Sequence, residues 1–131
     1  MTFVTPRWIP SALVQAIHAD QIRQHGGTLG LRDQGRLDAA LQRAPNHWHY
    51  EPSADLPFLA ALYCIGLAQN HPFLDGNKRI AFQVMYVFLG LNGLRIVADE
   101  ADVVRVMLAV ASGTLTADEM AAWFRAYIEP R

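Results

Sequence analysis

Two apolar stretches separated by a short polar one constrain this chain more than any other feature of it. The first runs from Pro57 through Phe58, Leu59, Leu62, Tyr63, Ile65, Gly66 and Leu67 to about Asn70, and the second from about Asn77 to Leu91. Both have the length of a helix, and the first is apolar on most sides, which predicts a helix at the centre of the fold. Asp55 is placed to cap the first, and Asn92-Gly93 to end the second. Two buried helices joined by the polar loop His71 to Gly76 form a scaffold that presents a site.

The remaining pattern extends the pair to about six helices packed in layers as one all-α unit. Ser11 is read as the cap of a helix to about Gln24, built on Leu13, Val14, Ile17 and Ile22 and stopped by Gly26-Gly27. Gly26 to Gly35 is too glycine-rich for a helix and reads as an exposed loop or short hairpin. A second helix spans roughly Gly35 to Ala44 and should stop at Pro45, because the residue before proline resists helical backbone; Asn46 to Ser53 is then an irregular connection. Leu94 to Val97 suits a short extended segment, Asp99 caps a helix to about Ala111, and Thr116 with Glu119 makes a capping box for a last helix to Ile128.

At 131 residues, 52% hydrophobic and 18% charged, the chain is expected to be one domain spanning residues 1–131. A formal net charge of -1 gives no reason to expect a nucleic-acid backbone or an anionic membrane as partner. Met1 to Pro10 has no sustained apolar run, and Ile80 to Leu91 is too short to span a bilayer, so a soluble protein is expected. The single cysteine, Cys64, excludes an internal disulfide framework and a multi-cysteine zinc site; a reducing cytoplasm is the plain reading, with Cys64 an inert buried thiol.

Chemistry concentrates in His71-Pro72-Phe73-Leu74-Asp75-Gly76-Asn77-Lys78-Arg79, which also holds the only lysine among eleven basic residues. If a helix begins near Asn77, the N–H groups of Gly76, Asn77 and Lys78 have no partners within it, and the helix dipole adds positive charge there, which makes an anion site. Gly76 lets the backbone approach a phosphate, Asn77 can donate from its side-chain amide, and Lys78 and Arg79 bring full charges. Asp75 is a hard oxygen ligand suited to a magnesium ion that bridges phosphate oxygens. His71 is the natural general base for a hydroxyl nucleophile, because imidazole titrates near neutral pH.

The segment resembles the signature of the Fic/Doc superfamily, His-x-Phe-x-Asp/Glu-Gly-Asn-Gly/Lys-Arg, at every defined position. Lys78 stands where the AMP-transferring Fic branch has glycine, and Phe82 where that branch has a second arginine; both are features of the Doc (death on curing) branch. Gly26-Gly27, Arg32-Asp33-x-Gly35-x-Leu37, Ala40-Leu41-x-Arg43 and Leu91-Asn92-Gly93 extend the likeness over about residues 10–128.

What this resemblance implies is a toxin of a toxin-antitoxin pair that acts as an ATP- and magnesium-dependent protein kinase. In that reading His71 deprotonates a Ser or Thr hydroxyl, Asp75 binds magnesium, and Gly76, Asn77, Lys78 and Arg79 hold the ATP phosphates, with Phe73 anchoring the loop. Elongation factor Tu is the implied target and arrested translation the outcome. The Gly26 to Gly35 loop corresponds to the family's flap, which would align the target segment by main-chain pairing. The inhibitory Ser/Thr-x-x-x-Glu-Gly/Asn pattern of some Fic enzymes is not in the sequence, so inhibition is expected from a separate antitoxin that folds on binding. Two alternatives stay open: a Fic-type AMP transferase using the same residues, and an inactive family member acting as a binding module.

Outside the motif, His47-x-His49 is read as part of an aromatic loop rather than a metal site, and His18 and His25 as ordinary surface or groove residues. Trp8, Trp123, Phe124 and Tyr127 should close the core.

Overall fold

One helix, α3 (Leu56–Asn70), is buried on every side from Leu59 to Ala68, and four of the other helices pack against it. The computed structural model describes residues 4–131. The four helices against α3 are α2 (Gln34–Tyr50), α4 (Asn77–Leu91), α5 (Glu100–Ala111) and α6 (Ala117–Tyr127), while α1 (Ser11–His25) packs on α4 and α2. Strands β1 (Leu94–Ile96) and β2 (Ile128–Pro130) pair antiparallel, with Leu94 opposite Pro130 and Ile96 opposite Ile128. The fold is all-α with this small ribbon attached.

The α2–α3 contact shows how closely the centre is packed. A Cβ on Gly66 would meet the Ala40 carbonyl oxygen at 3.3 Å and Ala40 Cα at 3.4 Å, so these backbones approach because both residues are small. The chain's N-terminal part closes the other end. Trp8 stacks on Phe88 with centroids 6.0 Å apart and meets Trp48 edge-on, while the Ile9 N–H donates to the buried Tyr63 hydroxyl at 3.1 Å. Phe124 is buried, and Trp8 and Trp123 pack against the core as their sequence positions suggested. Cys64 lies 3.6 Å from the Met107 sulfur, and burial pushes its thiol pKa well up, which leaves it inert.

Asp55 caps α3 through the Phe58 N–H at 3.1 Å, as its place in the sequence indicated, and it also receives Arg125 of α6 at 2.7 and 3.0 Å. Arg125 above all, helped by the Phe58 N–H and opposed by partial burial, holds the Asp55 carboxyl below the usual carboxylate range. Folding therefore lowers this pKa. The resulting stabilisation is complete above the ordinary Asp value of about 4 and fades as pH falls through the depressed folded value. Asp55→Ala removes cap and ion pair together and should cost about 2 kcal/mol at neutral pH, less in high salt because the pair is half-exposed. Thermal denaturation from pH 7 to pH 3 should show the variant and the parent converging.

Four expectations are corrected. Ser11 does not cap α1; Pro10 occupies that position, and the Ser11 hydroxyl accepts from Gln15 Nε2. Pro45 does not end α2, which continues to Tyr50 and takes in much of the stretch read as irregular. Proline in a helix interior removes a hydrogen bond, but the helix beyond it carries Trp48 into the core against Trp8, and that burial prevails. His47 and His49 are accordingly helical, and His47 pairs with Glu51 at 3.0 Å. The last helix ends at Tyr127, because Ile128 enters the ribbon with β1. Among the described residues no helix is long and apolar enough to cross a membrane.

Candidate active site

The loop between α3 and α4 is held from three directions. At its start, His71 terminates α3 in left-handed backbone at φ 50° and ψ 55°, and no other described non-glycine residue has a positive φ. Left-handed backbone costs roughly 1–2 kcal/mol for a residue with a Cβ, so its surroundings must impose it. Arg36 of α2 supplies part of that constraint: its Nη1 donates to the Asn70 carbonyl at 3.3 Å, and Asn70 Nδ2 donates back to the Arg36 carbonyl at 3.1 Å.

The next residues are fixed by main-chain pairing with the segment before α2. The Pro72 carbonyl accepts from the Arg32 and Asp33 N–H groups at 2.8 and 3.1 Å, the Leu74 N–H donates to the Gly30 carbonyl at 3.0 Å, and Leu31 bridges Phe73 antiparallel. The flap is therefore not a hairpin: its edge is paired with the motif loop itself.

Phe73 is buried, as an anchor should be, and the Asn77 side chain brackets it. Asn77 Oδ1 accepts from the Phe73 N–H and Asn77 Nδ2 donates to the Phe73 carbonyl, both at 3.0 Å. The Asn77 amide therefore shapes the loop with its oxygen and one Nδ2 hydrogen, which leaves the second Nδ2 hydrogen and the backbone N–H as its donors toward an anion. The Gly76 N–H, expected to be without a partner, has one in this structure. It donates to Asp75 Oδ1 at 2.8 Å, and the Gly76 φ of 74° makes the turn into α4. The N–H groups of Asn77, Lys78 and Arg79 in the first turn of α4 have no partner among the described residues.

The other Asp75 oxygen, Oδ2, accepts from the Thr28 N–H at 3.2 Å, so the flap touches this carboxylate. The approach requires Gly27, whose φ is 112° and on which a Cβ would lie 2.6 Å from Asp75 Oδ2. Gly27→Ala should destabilise the chain by about 1–3 kcal/mol through strain and displace the Asp75 carboxylate, measurable as a lowered melting temperature.

All six residues singled out by the sequence come together. His71, Asp75, Gly76, Asn77, Lys78 and Arg79, with Leu74, line one open pocket of about 470 Å³, large enough for a polyphosphate. Lys78 and Arg79 are exposed and make no ion pair among the described residues, so two unpaired cations stand over a helix N-terminus in a pocket whose one carboxylate is Asp75. Phe82, one turn on, packs against the core and supplies no further cation. A carboxylate with two N–H partners keeps lone pairs for a metal. One such group beside an anion cradle is too few ligands to cage a metal by protein alone, and would fit a hard cation whose other ligands come from a bound phosphate or water.

One contributor was missed. His18 of α1, read as a surface or groove residue, is 2% exposed and lies beneath this loop, its Nε2 2.8 Å from the Asp75 carbonyl oxygen. Its sequence signal was slight: it falls on the same helical face as Val14 and Ile22, which the pattern put in the core.

A chain with this helical fold and this loop at the head of α4 belongs to the Fic/DOC family, whose pattern residues 8–89 match. It is similar to the protein kinase doc of Escherichia phage P1, with 32% identity over 116 residues that cover 88% of this chain and 90% of that protein. It is also similar to Toxin Doc of Mycolicibacterium smegmatis (strain ATCC 700084 / mc(2)155), with 44% identity over 77 residues, 56% of this chain and 58% of that one. Both relatives belong to the Doc branch, and so does this chain.

Proposed function

We propose that the chain is the toxin of a toxin-antitoxin pair and a protein kinase that transfers the γ-phosphate of ATP to a Ser or Thr hydroxyl. The observation that carries this reading is the single pocket lined by a histidine, a carboxylate and an anion cradle, with nothing else of chemical weight in it. The name of the phage relative, protein kinase doc, supports the same choice.

His71 is the base: its imidazole accepts the proton of the acceptor hydroxyl as that oxygen forms its bond to the γ-phosphorus. The bond from that phosphorus to the β–γ bridging oxygen breaks, and ADP leaves with the electron pair. The N–H groups of Asn77, Lys78 and Arg79 and the two side-chain cations hold phosphate oxygens and stabilise the charge that shifts onto the leaving group. Asp75 would hold magnesium, which when bound neutralises phosphate charge. Lys78 without a second arginine at Phe82 favours the nucleotide sense that presents its γ-phosphate. The flap provides the surface along which the target segment lies.

The proposed target is elongation factor Tu, the proposed setting the cytoplasm, and the proposed restraint a cognate antitoxin that folds onto this chain. The test is transfer to purified elongation factor Tu from ATP labelled at the α or the γ position, with magnesium. Label arriving from γ alone is the expected result. Label from α would replace the kinase reading by AMP transfer, and no transfer would remove this acceptor.

A further inference from the structure

His18 does more than fill space beneath the motif. Its ring stacks on Phe73 with centroids 3.8 Å apart and planes 11° from parallel, and its Nε2 is 2.8 Å from the Asp75 carbonyl oxygen. A carbonyl oxygen only accepts, so His18 carries its proton on Nε2 and donates it. A polar ring buried to 2% exposure would be a poor choice for packing alone, since a leucine there would need no partner.

The bond falls on a sensitive peptide unit. The Asp75 carbonyl precedes the first turn of α4, and the N–H of the same peptide, on Gly76, donates to the Asp75 carboxylate at 2.8 Å. His18 thus fixes one end of a peptide plane whose other end fixes the carboxylate. Rotating that plane would swing both the Asp75 oxygens and the entry of the chain into α4. The imidazole also sits close under the turn: a Cβ on Gly76 would be 3.8 Å from His18 Nε2.

We infer that His18 is a positioning residue for nucleotide binding, acting through the Asp75–Gly76 peptide to aim the carboxylate and the amides of the first turn of α4. The inference deepens the kinase reading and, for its kinetic consequence, rests on it. Two variants separate its parts. His18→Phe keeps a flat ring against Phe73 and removes the donor; His18→Gln keeps an N–H donor at comparable reach and removes the ring.

The experiment measures γ-phosphate transfer and melting temperature for the full chain and both variants, with backbone amide exchange at Gly76 and Ile80, the two amides of this turn that donate hydrogen bonds. His18→Phe should raise the KM for magnesium-ATP about tenfold with kcat within about threefold, and should speed exchange at those two amides. His18→Gln should recover most of the KM even if it melts lower, which a purely structural role would not allow. A His18→Phe chain with parental KM and parental exchange overturns the inference, as does a KM that follows melting temperature across both variants. If the parent transfers no phosphate, the kinase reading fails by itself. Amide exchange then decides for His18, and unchanged exchange in His18→Phe overturns it.

Discussion

His71→Ala should lower γ-phosphate transfer by a factor of about 10² to 10⁴, the range expected when a positioned general base is removed, and should leave melting behaviour nearly unchanged. The side chain is exposed and makes no hydrogen bond among the described residues, so little folding energy is at stake in its removal. His71→Gly sharpens the result. The residue sits at φ 50°, where glycine avoids the Cβ penalty, so this variant should be equally inactive yet match or exceed the parent's stability by up to about 1 kcal/mol. Inactivity with raised stability would mean that the strain is kept for chemistry. Paired assays of transfer and thermal denaturation read both quantities. Transfer that survives both substitutions would make the pocket a binding site without His71 as its base.

The parts of the fold most legible in the sequence were those set by local rules. The Thr116–Glu119 capping box, the Asp55 and Asp99 caps and the span of α4 all stand where the chain's own punctuation put them. Local rules failed where distant burial outweighed them. Pro45 marks a helix end to any local reading, yet Trp48 beyond it is worth more packed against Trp8 than the hydrogen bond that the proline forgoes. The extended segment at Leu94 to Ile96 was legible, but its pairing was hidden, because its partner lies at the far end of the chain.

The candidate site divides in the same way. Its residues are contiguous from His71 to Arg79, so the sequence displayed the set and the structure gathers it in one pocket. What the sequence could not display was the assignment of each polar group to a partner. The Asn77 amide brackets Phe73, the Asp75 carboxylate reaches Thr28 in the flap, and the Asp75 carbonyl takes His18 across 57 residues of chain. Each of these partners except Phe73 comes from a segment that no local spacing links to the motif. A histidine on an apolar helix face is an ambiguous signal until its partner is seen.

Phe73→Ala is expected to produce the largest loss of stability of any substitution in the loop, about 3–4 kcal/mol, within the range for emptying a buried phenylalanine site. Its ring is 2% exposed and packs on one face against His18, and its two backbone groups hold the Asn77 side chain. Truncation opens a cavity under the loop and removes the surface on which His18 lies, so melting should fall by roughly 10–15 °C. Phosphate transfer should fall too, even well below the new melting temperature, because the Leu31–Phe73 bridge and the His18 contact both depend on this residue being seated. Phe73→Leu fills most of the volume and should cost only about 1.5 kcal/mol, with transfer partly kept. The two loop residues then bracket the site from opposite sides: at His71 chemistry is lost without stability, and at Phe73 the chemistry fails because its platform has gone. A Phe73→Ala chain that melts much lower but transfers phosphate at the parental rate in the cold would show that the loop keeps its shape without this anchor, and would shift that role to the Asn77 bracket and the flap pairing.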